Sequence, residues 1–555
     1  MIYFSRIKIP VNKFSLLALI VGTLTMLLME APARAATYYV SANGSDTNIG
    51  TAPASAWKSL AHVNSRTFAP GDRILLQGGD TFTGNLLLTS AGTEEKPILL
   101  SSYGHGAATL RGTADTAIEI RDAGGWEVRN LIIIGSGRVG NQGSGLVFRN
   151  TKPDNTQLQS ITITHIDVSG FGFHGILVEG DARDKSQSGY GDVQITHCAA
   201  HDNAHTGIYV TGVYDLKTQR YANSDVTVSH CVAYDNPGDP KFLSNHSGSG
   251  IFLEDVNGGV IERCVARNNG ALCPCRAGGP IGIWAAAANK IIIQYCESHH
   301  NHTSDVSADG GGFDFDGGVT NSILQYNYSH DNDGAGYLVY CYDNAPYTFH
   351  DNTVRYNISQ NDGRKHHYGG IYVGGAVRDC AVYNNTIFVS PAAGATPCAL
   401  LILAGRNMRC CNNLLVTTGG IPLVEGRGGR DIVLRGNDYW SSGEPFQMLW
   451  NGKTYGGLEA FQTASGQERN MKNGDAAVGL NVDPHLQAPG GGGTLDNADR
   501  LASVGAYRLR SDSPLIGKGE NLPIYQGIRS GERDFYGTRL PQGHEYSIGA
   551  CEHRQ

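Results

Sequence analysis

"VTVSHCVAYDN", residues 226–236, decides the fold, because the chain repeats it in altered form. "QITHCAAHDN" (194–203) precedes it, and "VIERCVARNN" (260–269), "IIIQYCESHHN" (291–301), "ILQYNYSHDN" (323–332) and "VRYNISQND" (354–362) follow. Superimposed, they align Cys198, Cys231, Cys264, Cys296, Asn327 and Asn357 at steps of 33, 33, 32, 31 and 30 residues. After each copy comes a variable loop, then a short run opened by glycine, such as "GIYVT" (207–211), "GIFLE" (250–254), "GIWAA" (282–286) and "GFDFD" (312–316). Short strands at a fixed period, with no helical period, are the signature of a solenoid. The fold class this implies is all-β: a parallel β-helix with one repeat per coil.

Strand alternation orients the side chains. The first and third residues after each glycine are apolar and point inward: Ile208 and Val210, Ile251 and Leu253, Ile283 and Ala285, Phe313 and Phe315. The second and fourth point outward. They form one column of Leu177, Tyr209, Phe252, Trp284, Asp314, Leu338 and Tyr372, and beside it another of Glu179, Thr211, Glu254, Ala286, Asp316, Tyr340 and Gly374. In "DGGGFDFDGG" (309–318), Phe313 and Phe315 therefore fill the core, while Asp314 and Asp316 stand on the outer face with no core to stabilise.

Cys198, Cys231, Cys264 and Cys296 fall in successive coils about 4.8 Å apart. With parallel side chains they read as buried thiols rather than a zinc site, since a flat column makes no tetrahedron. Asn327 and Asn357 continue the column as a hydrogen-bonding ladder. Some of Cys273, Cys275, Cys341, Cys380, Cys398, Cys410 and Cys411 are expected to form disulfides. The recurring "HDN", "YDN" and "HHN" triplets read as turn residues.

On these repeats the sequence resembles the secreted right-handed parallel β-helix repeat proteins, the superfold of pectate-lyase-like and polygalacturonase-like enzymes. The start "TYYVSANGSDTNIGTAPASAWKSLAHV" resembles that family's entry strand and N-terminal helical cap, with Trp57, Leu60 and Val63 covering the end coil. "NVDPHLQ", "SDSPLIGKG" and "DFYG" resemble its closing coils, so "DPH" at 483–485 is a coil-ending string. The resemblance implies a single β-helix: entry cap and first coils over 36–150, central repeats with the site over 151–440, and closing coils over 441–555. It fixes the fold more firmly than the reaction. No "DD" pair and no polygalacturonase-type R-x-K arrangement is present.

Residues 1–35 run from Arg6, Lys8 and Lys13 through an apolar stretch (Phe14–Met29) to "APARA", the succession of a cleaved export signal. The expected location is secreted or periplasmic. Loss of four basic residues and one acidic residue moves the net charge from −8 to −11, which argues against nucleic acid as a partner. The expected partner is a polysaccharide or oligosaccharide, with no membrane contact after cleavage and a monomeric state.

Three outward features coincide. Tyr209, Phe252 and Trp284 make an aromatic stripe on which pyranose C–H faces could stack. Asp314, Asp316 and Asp309, supported by Glu254, supply carboxyls for acid–base chemistry. Residues i and i+2 lie about 6.6–6.8 Å apart and two coils span about 9.5 Å, spacings that suit an inverting pair better than a retaining one. His174, His205 and His246, with Arg364, Lys365, His366 and His367, lie in loops that could wall a cleft. No cofactor is expected, though Asp305, Asp309, Asp314 and Asp316 are oxygen ligands of the type calcium takes. The leading expectation is a glycoside hydrolase. The alternatives are a calcium-assisted polysaccharide lyase using Lys365 or His366 as base, and a non-catalytic carbohydrate-binding solenoid.

Overall fold

Every coil turns on residues in the left-handed backbone region. His197, His230, Arg263, Tyr295, Tyr326 and Tyr356 have φ of 50–59°, and each stands immediately before a member of the cysteine–asparagine column. Asp202, Asp235, Asn268, His300, Asp331 and Asn361, with φ of 50–55°, make a second corner a few residues later. Short polar residues enter this region with least strain, which is why aspartate and asparagine recur at the second corner, whereas the first also takes Arg263, Tyr295, Tyr326 and Tyr356. The computed structural model describes residues 35–553 apart from 183, 219, 277, 471–475 and 542–545. The export segment expected over residues 1–35 lies, Ala35 apart, outside the described residues.

Between corners the chain is strand. Each central coil gives one strand to a 14-stranded sheet and two, bent at the column, to a 25-stranded sheet. The coil-to-coil pairings are parallel, and the 14-stranded sheet ends in an antiparallel hairpin of Met448–Trp450 with Lys453–Tyr455. The inward column pairs in register: Ile208 with Ile251, Ile251 with Ile283, Ile283 with Phe313, Phe313 with Tyr337 and Tyr337 with Ile371. All are fully buried, as the alternation predicts.

The polar columns hold the coils in register. The Cys198 N–H donates to Cys231 Sγ at 3.4 Å, and Cys264 N–H to Cys296 Sγ at 3.4 Å. The asparagine ladder then runs from Asn327 through Asn357, Asn385, Asn413 and Asn437 to Glu468. At each asparagine rung a backbone N–H and a side-chain Nδ2 both donate to the next Oδ1. A second ladder, Asn203–Asn236–Asn269–Asn301–Asn332–Asp362, is built from the repeated turn triplets. The expected disulfides are not formed: Cys273, Cys341, Cys380, Cys398, Cys410 and Cys411 carry buried free thiols, as do the four column cysteines. Those that stack do so as small apolar side chains held parallel by the coil, and parallel side chains cannot adopt the crossed disulfide geometry.

At the N-terminal end, a helix of five residues, Leu60–Asn64, buries Leu60 and Val63, and Trp57 stacks on Tyr38 at 4.8 Å. Near the C-terminus, Leu486, Leu501, Tyr507, Leu515 and Ile548 pack on the outer side of the 25-stranded sheet around Tyr328, Ile358, Phe388 and Leu414. His485 of "DPH" pairs there with Asp512 at 3.3 Å, far along the chain from the acidic strand. Among the described residues no helix is long and apolar enough to cross a membrane.

Candidate active site

The strand Gly311–Phe315 carries the acidic motif in the 14-stranded sheet, between Ile281–Ala286 and Tyr337–Cys341. Glycine at 312 is a packing requirement, since a Cβ there would sit 2.2 Å from Ser329 Oγ. Phe313 and Phe315 are fully buried in the core, and Asp314 pairs in register with Trp284 on one side and Leu338 on the other. Sequence reasoning left Asp314 open on the outer face. The structure corrects this: Asp314 is 2% exposed, because loops from successive coils roof the sheet.

Under that roof lies a cavity of about 750 Å³, within the range of small-molecule sites. Glu254, Asp309, Asp314 and Asp316 line it with Trp284, His246, Arg276 and five tyrosines, Tyr214, Tyr340, Tyr342, Tyr368 and Tyr372. Asp316 follows the strand directly. Asp309 arrives by a different route, because two left-handed residues, Asp309 (φ 58°) and Gly310 (φ 77°), fold the preceding loop over the sheet. All three acids of the motif line the cavity, but Asp309 and Asp316 are only partly buried, whereas Asp314 between them is 2% exposed, so the first two are the more accessible.

Burial sets the chemistry of all three. It lifts Asp316 to about 7, with the neighbouring charges of Asp309 and Glu254 adding to the effect and the Gly317 N–H opposing it. Burial also raises Asp309, against a Tyr368 hydroxyl that donates to Oδ1 at 2.8 Å. Asp314 is raised well above the usual carboxylate range by burial and then by Asp316 and Asp309, and its Oδ1 has no hydrogen-bond partner. Glu254 is held differently, accepting hydrogen bonds from Tyr209, Tyr214 and, at 2.7 Å, Thr211. The cavity therefore combines three carboxyls raised by burial, Asp316 to about 7, with one embraced by three hydroxyls.

The aromatic stripe exists but serves largely as packing. Tyr209 stacks on Phe252 at 4.8 Å and Phe252 on Trp284 at 3.5 Å, so rings repeated in one register consume each other's faces. Tyr209 and Phe252 do not line the cavity; Trp284 does, and its Nε1 is buried without a partner. Of the histidines, only His246 reaches the lining, edge-on to Trp284 at 5.0 Å. Burial lowers His174 to about 3 and His246 to about 4, so both are neutral imidazoles; His205 packs between Phe173 and Phe242.

The basic cluster is placed elsewhere. Lys365 donates to the Thr303 carbonyl at 2.9 Å and pairs with Asp305 at 2.8 Å; Arg364 donates to the Ser390 and Pro391 carbonyls, and His367 pairs with Glu425 at 3.2 Å. His366 is outside the lining as well. The same geometry bears on calcium. Asp305 is exposed and turned to Lys365, and among the described residues no three of Asp305, Asp309, Asp314 and Asp316 bring ligand atoms within 4.8 Å of one another.

A family model described as "Right handed beta helix region" matches residues 241–387, which hold most of the cavity lining. The chain folds as a right-handed parallel β-helix. A curated relative of this β-helix protein, the lacto-N-biosidase of Bifidobacterium longum subsp. longum, is 24% identical over 444 residues, covering 64% of the chain. The chain spans 27% of that relative's length. Among solved structures, a GH136 lacto-N-biosidase from Eubacterium ramulus aligns with a TM-score of 0.51 at 20% identity, over 72% of this chain and 67% of its own. Pectate lyase Pel9A aligns over 94% of this chain and 98% of its own at 15% identity, with a TM-score of 0.43.

The sequence missed most of the tyrosines and Arg276. Tyr340 and Tyr372 sit in the outward columns beside Asp316 and Asp314, so their positions were readable from the repeat. Tyr214, Tyr342, Tyr368 and Arg276 come from loops, which carry no period.

Proposed function

We propose that this β-helix is an exported glycoside hydrolase that cleaves an oligosaccharide or polysaccharide in the roofed cavity, with Asp309 and Asp316 as the working carboxyls. One observation carries the reading: these two acids reach the cavity from either side of one strand, each raised by burial. Glycosidic cleavage needs one carboxyl that holds a proton near neutral pH and a second that acts as base or nucleophile. Two carboxyls whose charges oppose each other cannot easily ionise together, so loss of a proton from one makes the other the acid. Asp314 is the support beneath them, a buried carboxyl pushed towards its uncharged form, whose Oδ1 has no hydrogen-bond partner. The similarity to two proteins named lacto-N-biosidase supports a glycosidase over the other readings.

A lyase would need a base beside the substrate, and Lys365 and His366, the expected candidates, do not line the cavity. The deciding experiment incubates the purified chain with neutral and uronic glycans and reads reducing ends together with absorbance at 235 nm. Reducing ends alone are the expected result. A rise in both signals would mean β-elimination, and neither would leave a binding protein.

A further inference from the structure

A second hollow, of about 470 Å³, opens where the chain leaves the strand Ile208–Thr211 and enters Asn223–Ser229. Its wall is polar throughout: the amides of Gln157, Gln187 and Asn257, the Ser224 hydroxyl and the phenol ring of Tyr221. No aliphatic side chain lines it. Arg220 and Asp225, both exposed, stand at its edge with opposite charges, so the site favours neither anions nor cations.

Two details mark it as built for a ligand. Gln187 is 2% exposed and its Nε2 donates to the Val213 carbonyl, so its amide is fixed in place at the base of the hollow. Tyr221 is half-buried and braced edge-on by Tyr347 at 5.1 Å, which fixes its ring in the wall. Amide groups, a hydroxyl and a fixed ring with no net charge match a ligand that offers many hydroxyls and a C–H face. We propose that this hollow binds a neutral sugar unit, at a site separate from the catalytic cavity.

The two sites share a wall. Residues 212–218 place Tyr214 in the cavity, and residues 220–222 place Arg220 and Tyr221 in the hollow. Tyr347 pins that segment, with its hydroxyl oxygen 3.0 Å from the Arg220 carbonyl, 3.0 Å from Asp255 Oδ1 and 3.1 Å from the Asp215 N–H donor. A glycan seated in the hollow thus lies behind the loop that closes on Glu254.

The hollow requires no turnover in the cavity, so its test is a binding measurement on the full chain. Galactose, N-acetylglucosamine, lactose and galacturonate are titrated by calorimetry and by saturation-transfer NMR. For at least one neutral sugar, the expected result is a binding event that weakens at least tenfold in a Gln157→Ala, Asn257→Ala double variant and survives in Trp284→Ala. Gln187→Leu should lose the same event, and the double variant, altered at the rim, keeps the test valid if that protein fails to fold. Binding abolished by Trp284→Ala but indifferent to the double variant would overturn the proposal. So would preference for galacturonate over galactose, or no binding of any neutral sugar.

Discussion

Tyr368 and Asp309 hold each other twice: the tyrosine hydroxyl donates to Asp309 Oδ1 at 2.8 Å and accepts the Asp309 backbone N–H at 2.9 Å. The first of these bonds favours the ionised carboxylate and opposes the effect of burial. Tyr368→Phe should therefore shift the Asp309 limb of the kcat/KM pH profile to higher pH. The profile of the variant against the parent checks this, and an unmoved limb would mean that Asp309 is not the group being titrated.

Asp309→Asn and Asp316→Asn should each lower kcat by roughly 10² to 10⁴-fold, the loss expected when a proton-transfer group is removed. Asp314→Asn should stay within about tenfold of the parent, because Asp314 is 2% exposed and burial favours its uncharged form, which an amide resembles. Steady-state kinetics on one substrate separate the three. A large loss in Asp314→Asn, with the fold intact by circular dichroism, would move the chemistry onto that residue.

The same burial makes stability depend on pH in a definite direction. Asp316 is raised in the folded state from an ordinary value of 3.8 to about 7, so between those values the folded chain holds a proton that the unfolded chain has released. Stability contributed by the protonated form is complete below about pH 4 and is lost as pH rises towards 7. Asp316→Asn should accordingly unfold at higher denaturant than the parent at pH 8, by on the order of 4 kcal/mol at about 1.4 kcal/mol per pH unit. At pH 4 the difference should nearly vanish.

Removing one rung of the long ladder should be costly without touching the cavity. Asn385→Ala leaves the Asn357 N–H and Nδ2 without their shared acceptor, and it removes the Nδ2 that donates to Asn413 Oδ1 and to the Val354 carbonyl, while the backbone N–H to Asn413 Oδ1 remains. Each buried group left unpaired costs about 1–3 kcal/mol, so urea unfolding should show a loss of several kcal/mol. Kinetic constants of the protein that remains folded should match the parent's.

The coil was legible in the sequence because its determinants repeat: an apolar pair after glycine, a residue that tolerates positive φ, then cysteine or asparagine. That pattern placed Phe313 and Phe315 inside and predicted the ladder from Asn327 to Asn357, although it did not carry the ladder onward to Asn437 and Glu468. It placed Asp314 on the correct face and misjudged its surroundings. Alternation says which way a side chain points, whereas the roof over it comes from loops such as those carrying His246, Arg276 and Tyr368. Stacking of like rings was also implied by the repeat, since Phe252 and Trp284 hold the same register. These two, one coil apart, meet face to face. Lys365 failed for the opposite reason: proximity in sequence to the site loop does not reveal that Asp305 has claimed its ammonium group.

The paired left-handed corners have a consequence for how such a molecule can change over time. Only three residues separate Asn203 from Gly207, whereas thirteen separate Asn236 from Gly250, yet Ile208 still lies opposite Ile251. Since the corner and its ladder rung fix where each coil resumes, the intervening loop is free to lengthen or shorten without displacing the strand after it. Insertions can therefore reshape the roof of the cavity, and with it the choice of substrate, while the carboxyl at Asp316 stays in place.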